Sequence, residues 1–232
     1  MPKYAEKRDT PFGVRYVYSE EALAKRNKKK AKRYRRINHN GDGIRATLLA
    51  DANAGSLPAL AAVLCAVTYE RPGNPTSAAN GHLGVTGWTK KEVKITGNKA
   101  LIKYVGKSGT AQFKVVNNPT VIRLLKRQIA ATATGPIVPV RQAALNAYLD
   151  QFGITAKDLR GFGANEEMKN ATRLLRRKGP SLNSLSEGKR KSQLKREWLT
   201  ALAYVAEKVG HSKAILRKQY LVPGMEERWL NQ

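Results

Sequence analysis

The chain is short of the residues that staple or metallate small proteins. Its 232 residues include one cysteine, Cys65, and three histidines. A single thiol excludes an intramolecular disulfide and any cysteine-based zinc site. Long hydrophobic runs are missing as well. The most apolar stretch, residues 57–67, is too short to cross a bilayer. The opening MPKYAEKRDTPFGVRY holds no apolar segment of the secretory type, so an intracellular protein is expected. Acidic residues are scarce: 17 Asp and Glu face 43 Lys and Arg, a formal charge of +26. That imbalance calls for a polyanionic partner, because each neutralised phosphate releases condensed counterions. No long amphipathic helix with a Trp/Phe/Leu face accompanies the charge, which argues against a membrane surface. With 41% hydrophobic residues the chain can still bury an ordinary core.

Residues 1–43 read as a basic leader. Segment 25–36 (KRNKKKAKRYRR) is almost wholly cationic, with Tyr34 interleaved. It is expected to be solvated when free and to act as a reduced DNA clamp through Lys28, Lys29, Lys30, Lys32, Arg33, Arg35 and Arg36. GDG at 41–43 is expected to break the chain before a folded part, 44–232.

From 44 to 69 the pattern is helical, with Leu57, Leu60, Leu64 and Val67 on one apolar face. Pro72 and Gly73 stop that helix just past Arg71. Between 93 and 116 the period changes: VKIT, LIKYV and AQFKVV read as three strands joined at Gly97-Asn98 and at 106–109. Lys107 is thereby expected at a hairpin tip. Helices are expected at 119–131, 139–151 and 158–178, and a flexible basic spacer at 179–196. Trp198, Leu202, Val205 and Val209 then recur at helical spacing, Gly210 is a natural helix stop, and Ser212 can cap a further helix carrying Tyr220.

Singly, these residues mean little in so basic a chain; in order they mean more. Arg71 lies in R-P-G-N, Lys107 in Y-V-G-K-S-G, Arg160 in K-D-L-R-G-F-G-A-N, His211 in V-G-H-S, and Tyr220 nine residues later. The series closely resembles the catalytic domain of type IB DNA topoisomerases, poxvirus-type and cellular, over about residues 44–225. Most of the likeness lies in the glycine-flanked lysine, in 151–165 (QFGITAKDLRGFGAN) and in 209–220 (VGHSKAILRKQY). It implies an α+β fold: a mainly α-helical DNA breaking-rejoining domain with a small three-stranded antiparallel β-sheet. It also implies a monomer acting on double-stranded DNA without metal, cofactor or ATP, through a 3′-phosphotyrosyl intermediate. The location would be wherever DNA is, whether nucleoid, virion or nucleus.

The chemistry fits the residue types. Attack on a phosphodiester builds negative charge on two non-bridging oxygens, and metal-free catalysis needs fixed donors there. Arg71, Arg160 and His211 are the candidates for stabilising that charge. The deoxyribose 5′-oxygen leaves badly unless protonated, which suits Lys107 as general acid. Tyr220 is the candidate nucleophile, and neighbouring cations favour its developing phenolate. Lys157 is an auxiliary phosphate contact. Asn165 is grouped with the DNA-binding residues or with positioning of backbone. Lys103, Tyr104, Lys189, Arg190 and Lys191 are generic phosphate contacts.

Two rivals share part of this pattern. Tyrosine recombinases have the same Arg/Lys/Arg/His/Tyr plan, but usually carry histidine three residues before the second arginine, where Lys157 stands. The chain also ends twelve residues after Tyr220, leaving little for protomer exchange. A non-catalytic basic DNA-binding protein explains the charge but not five apt residues in order. One departure concerns poxvirus-type enzymes, which carry an N-terminal β-rich clamp where this chain has only its leader. Another is Asn74, which follows the cellular R-x-G-N, so a pyrimidine-rich site preference does not transfer.

Overall fold

The computed structural model describes residues 5–10, 13–106 and 109–232. Strands β1 (Ala5–Thr10) and β2 (Gly13–Tyr18) pair antiparallel ahead of the first helix. Helix α1 (Glu20–Asn53) follows, started by Ser19, whose hydroxyl accepts from the Ala22 N–H at 3.2 Å, with Glu20 and Glu21 in the first turn. It runs through Gly41-Asp42-Gly43 without a break. The expected solvated leader ending at GDG is therefore corrected. Two glycines cost a helix about 1 kcal/mol each, and docking on a neighbouring helix outweighs that. The real interruption comes at 54–56, inside the stretch 44–69 expected to be continuous. There Gly55 takes φ +102°, and Ser56 caps α2 (Leu57–Thr68).

Helix α2 is the central rod. Ala59 through Cys65 are all buried, so it is covered on every side. It ends at Tyr69 in the left-handed region (φ 58°), three residues earlier than the proline rule suggests, which leaves Arg71 on extended backbone. A short α3 (Pro75–Ala79) leads to the sheet of β3 (Val93–Thr96), β4 (Lys99–Val105) and β5 (Ala111–Val116), antiparallel in the order β3-β4-β5. The alternation is clean on β4: Ala100, Ile102 and Tyr104 point inward, while Lys99, Lys103 and Val105 face out.

Helices α4 (Pro119–Ala131) and α5 (Gln142–Asp150) complete the larger core. Helix α6 (Ala156–Lys178) opens with a reciprocal capping box between Thr155 and Asp158. Helix α7 (Glu187–Val209) packs along α6, and a second core gathers there around Met168, Trp198, Leu202, Val205 and Leu216. The expected spacer 179–196 is thus corrected to 179–186. The polar residues beyond it are helical because Ser186 and Glu187 start the turn, Glu187 pairs with Lys191 at 2.7 Å, and Gln193, Leu194 and Glu197 are buried. Helix α8 (Lys213–Ile215), a π-turn at Leu216–Tyr220 and α9 (Met225–Leu230) close the chain. Among the described residues no helix is long and apolar enough to cross a membrane.

Candidate active site

Tyr220 lies at the end of the π-turn, where the Leu221 N–H reaches back to the Leu216 carbonyl at 3.1 Å. Such wide turns are uncommon and concentrate at functional sites. Its ring is 4% exposed. On one side it stacks on His211 (centroids 4.9 Å apart, 19° between planes), and the Arg160 guanidinium carbon lies 5.3 Å from its centroid.

Each neighbour is held by its own element. Arg160, one turn into α6, is 3% exposed and donates from Nη2 to the Val209 carbonyl at 2.8 Å, while its Nε is buried without an acceptor. His211 follows the α7 stop. Gly210 takes φ +74°, and the His211 N–H bonds the Ala206 carbonyl at 2.8 Å. The positive φ favours glycine at 210, and the Gln112 side chain of β5 lies against it, a Cβ there standing 2.4 Å from Gln112 Oε1. The His211 Nε2 is likewise buried without a partner. Unpaired buried groups are rare in folded proteins, and two beside one tyrosine mark a place made for an acceptor.

Electrostatics agree. Burial, followed by Arg160, Arg71 and Lys114, pushes His211 down to about 4. At neutral pH it is therefore an uncharged imidazole that can donate a single N–H. Arg71 itself is exposed on the extended segment after α2. Its carbonyl accepts from the Val85 N–H at 2.9 Å, and a Cβ on Gly84 would stand 2.6 Å from that oxygen. The loop carrying Arg71 is therefore fitted against a glycine the sequence reading passed over.

The same reading missed Glu70 and Lys114. They form a buried ion pair at 3.1 Å, and the Lys114 ammonium also donates to the Lys208 carbonyl at 2.9 Å. Burial lowers the Lys114 pKa, and Glu70 works against that. This link ties the sheet to both the Arg71 segment and the end of α7. A lysine on the inward face of a strand was the available signal.

Lys107 lies outside the described residues. The hairpin around it is closed by the Gly106 N–H to Thr110 carbonyl bond at 2.8 Å and by Gly109 at φ +71°. Lys157 is exposed at the start of α6 and shares a narrow cleft beside Tyr220 with Lys30 and Tyr34 of α1. Lys30 is pushed down to about 8 by burial, then by Lys157 and Arg26.

Two of the expected DNA contacts, Asn165 and Tyr104, are buried and are corrected. Asn165 is 1% exposed and its amide is occupied: Nδ2 donates to the Gly161 and Tyr220 carbonyls, and Oδ1 accepts from the Val222 N–H. It grips the backbone on both sides of the tyrosine and has no face for DNA. Tyr104 is buried against Trp88 (centroids 5.3 Å apart), because even positions of β4 point inward. Arg33 pairs with Asp158 at 3.6 Å and Arg36 donates to the Gly153 carbonyl at 3.1 Å, so both fasten α1 to the α6 region. Arg190 is half-buried on α7. Lys28, Lys29, Lys32, Arg35, Lys103, Lys189 and Lys191 are exposed, with Lys103 lying over the Phe113 ring at 5.4 Å.

A buried tyrosine packed against a buried arginine and a neutral histidine suits attack on a phosphate. The family model for the eukaryotic DNA topoisomerase I catalytic core matches residues 19–227. The chain belongs to that family. Its substrate class is accordingly DNA, and its fold is the mainly α-helical α+β core of topoisomerase I. Comparison with curated proteins gives no match. The match begins at residue 19, so it takes in α1 whole and not only the part after GDG.

Proposed function

We propose that the protein is a type IB topoisomerase that relaxes duplex DNA by transient single-strand cleavage, without metal or ATP. Tyr220 Oη gives up its proton to solvent as it attacks a backbone phosphorus, forming a 3′-phosphotyrosyl bond as the P–O5′ bond breaks. Arg160, Arg71 and the His211 N–H take up the charge growing on the non-bridging oxygens. Lys107, expected from the sequence at a hairpin tip, gives its proton to the departing 5′-oxygen. The covalent link conserves the bond energy, so the 5′-hydroxyl reseals the strand by the reverse path once the helix has turned.

The observation that carries this reading is the packing of Tyr220 against both His211 and Arg160, each with a buried nitrogen that has no partner. Three guanidinium or imidazole donors supply what a divalent ion supplies elsewhere. Removing one such donor typically slows a reaction about 10²–10³-fold. Lys30 and Lys157 are proposed to hold the phosphate beside the scissile one, and the exposed lysines of α1 to follow the backbone as a clamp.

The test is relaxation of positively and negatively supercoiled plasmid in EDTA without nucleotide. Both should relax, and Tyr220→Phe should abolish relaxation while DNA binding persists. Dependence on magnesium or ATP would overturn the proposal.

A further inference from the structure

A second cleft lies between the far half of α6 and α9, with a volume of about 550 Å³. It shares no lining residue with the nucleophile cleft. From Gly161 to Arg173 the helix rises roughly 18 Å at 1.5 Å per residue. Arg173 and Arg177, one turn apart on α6, line it together with Arg228 on α9, and half-buried Trp229 supplies flat apolar wall with Trp198 buried beneath it.

Two observations set this cleft apart from the general basic surface. Arg173 and Arg177 are exposed and have no acidic partner among the described residues, whereas nearby Arg176 is taken up by Glu197 at 2.9 Å. Trp198 is 1% exposed, lines the cleft, and has its indole N–H buried with no acceptor. Trp229, by contrast, has its N–H satisfied by the Leu194 carbonyl at 3.0 Å, so its ring acts as surface alone. Guanidinium forks from two helices, two of them without an acidic partner, ask for a multi-oxygen anion. The aromatic wall asks for a flat group attached to it.

We propose that this cleft binds a nucleotide phosphate together with its base, at a site separate from the one that cleaves DNA. The nucleotide can belong to a second stretch of nucleic acid or be free in solution. The chemistry is the same, and the test separates the two. This inference does not rest on the catalytic reading, and the site should bind equally well in Tyr220→Phe.

Two of the three tryptophans line the cleft, so indole emission reports on it. Titration with dAMP and with a ten-residue single-stranded oligodeoxynucleotide should quench emission saturably. Arg173→Gln/Arg177→Gln should weaken binding of the cleft's true ligand at least tenfold. Arg228→Gln on α9 should weaken it in the same direction. Arg123→Gln/Lys126→Gln, two exposed α4 cations changed by the same charge, should leave it within about twofold. Tighter binding of the oligonucleotide than of dAMP assigns the site to a nucleic-acid strand, and equal binding assigns it to a free nucleotide. Equal losses in the α6 and α4 variants, or no saturable quenching by either probe, would overturn the proposal.

Discussion

Asn165→Ala should loosen the nucleophile more than any other change that leaves the reacting groups in place. Three hydrogen bonds go at once: to the Gly161 carbonyl at 2.6 Å, to the Tyr220 carbonyl at 2.9 Å and from the Val222 N–H at 2.8 Å. Tyr220 and Leu221 are both buried, so the Tyr220 carbonyl is left stranded beside the Val222 amide. A stranded buried group costs about 1–3 kcal/mol, and water entering the gap offsets part of it, so a loss of roughly 3 kcal/mol is expected. In a chain this size 1 kcal/mol moves Tm by about 2–4 °C, giving a fall of about 6–12 °C. Displacing a reacting atom by 1 Å can cost about 10²-fold, so single-turnover cleavage should slow to that degree while DNA affinity holds. Asn165→Asp keeps the acceptor for Val222 but turns a buried oxygen toward the Gly161 and Tyr220 carbonyls, and should destabilise at least as much. The assays are a thermal melt and rapid-quench cleavage of a labelled duplex. If Asn165→Ala melts within 2 °C of the parent and cleaves at its rate, the amide does not hold the tyrosine.

The buried pair supplies a second test. Glu70→Gln strands the Lys114 ammonium and should cost about 3–5 kcal/mol in urea denaturation, while Glu70→Leu/Lys114→Met should recover most of it. Additive losses would contradict a coupled pair. His211 is held down to about 4 in the fold and ordinarily titrates near pKa ~6.5. Its contribution to stability is therefore complete above that ordinary value and lost as pH falls toward 4, because the unfolded chain takes up the proton first. The parent should lose more Tm between pH 7 and 5 than His211→Gln does; parallel curves would refute this. Lys30, pushed down to about 8, should lose its charge between pH 7 and 9. The salt slope of DNA binding should drop by about one over that interval. Lys30→Arg should keep the slope constant, and an equal decline in that variant would remove Lys30 from the interface.

Local signals were legible where one rule acted alone. Gly97-Asn98 and the glycines at 106 and 109 marked the hairpins, and Gly210 and Ser212 bracketed His211 as helix stop and start. Contests between local and tertiary terms were not legible. The glycines at 41 and 43 looked like a break, yet Tyr34 packs at a tilt on Phe162 and donates to Glu166, and with Arg33 and Arg36 it holds α1 against α6 and the turn before it. The polar run 187–196 looked like a spacer because Leu194 is its one buried apolar residue, while buried Gln193 bonds Glu197 at 2.7 Å and Glu197 pairs with Arg176 at 2.9 Å. Among site residues, those doing the proposed chemistry could be named from order and spacing. Of those that position them, Asn165 could be named but not its partners, and Gly84, Glu70 and Lys114 could not be named, because their roles depend on partners as far as 94 positions away.

The central claim concerns one covalent bond, and trapping it is the most direct measurement. A duplex labelled at the 5′ end of one strand, and separately at its 3′ end, is mixed with protein in EDTA without nucleotide and stopped with denaturant. The account predicts that the 5′ label stays attached to protein, that the 3′ label is released on a fragment with a 5′-hydroxyl, and that Tyr220→Phe gives neither product. Transfer of the 3′ label to protein, or an adduct that persists in Tyr220→Phe, would contradict it.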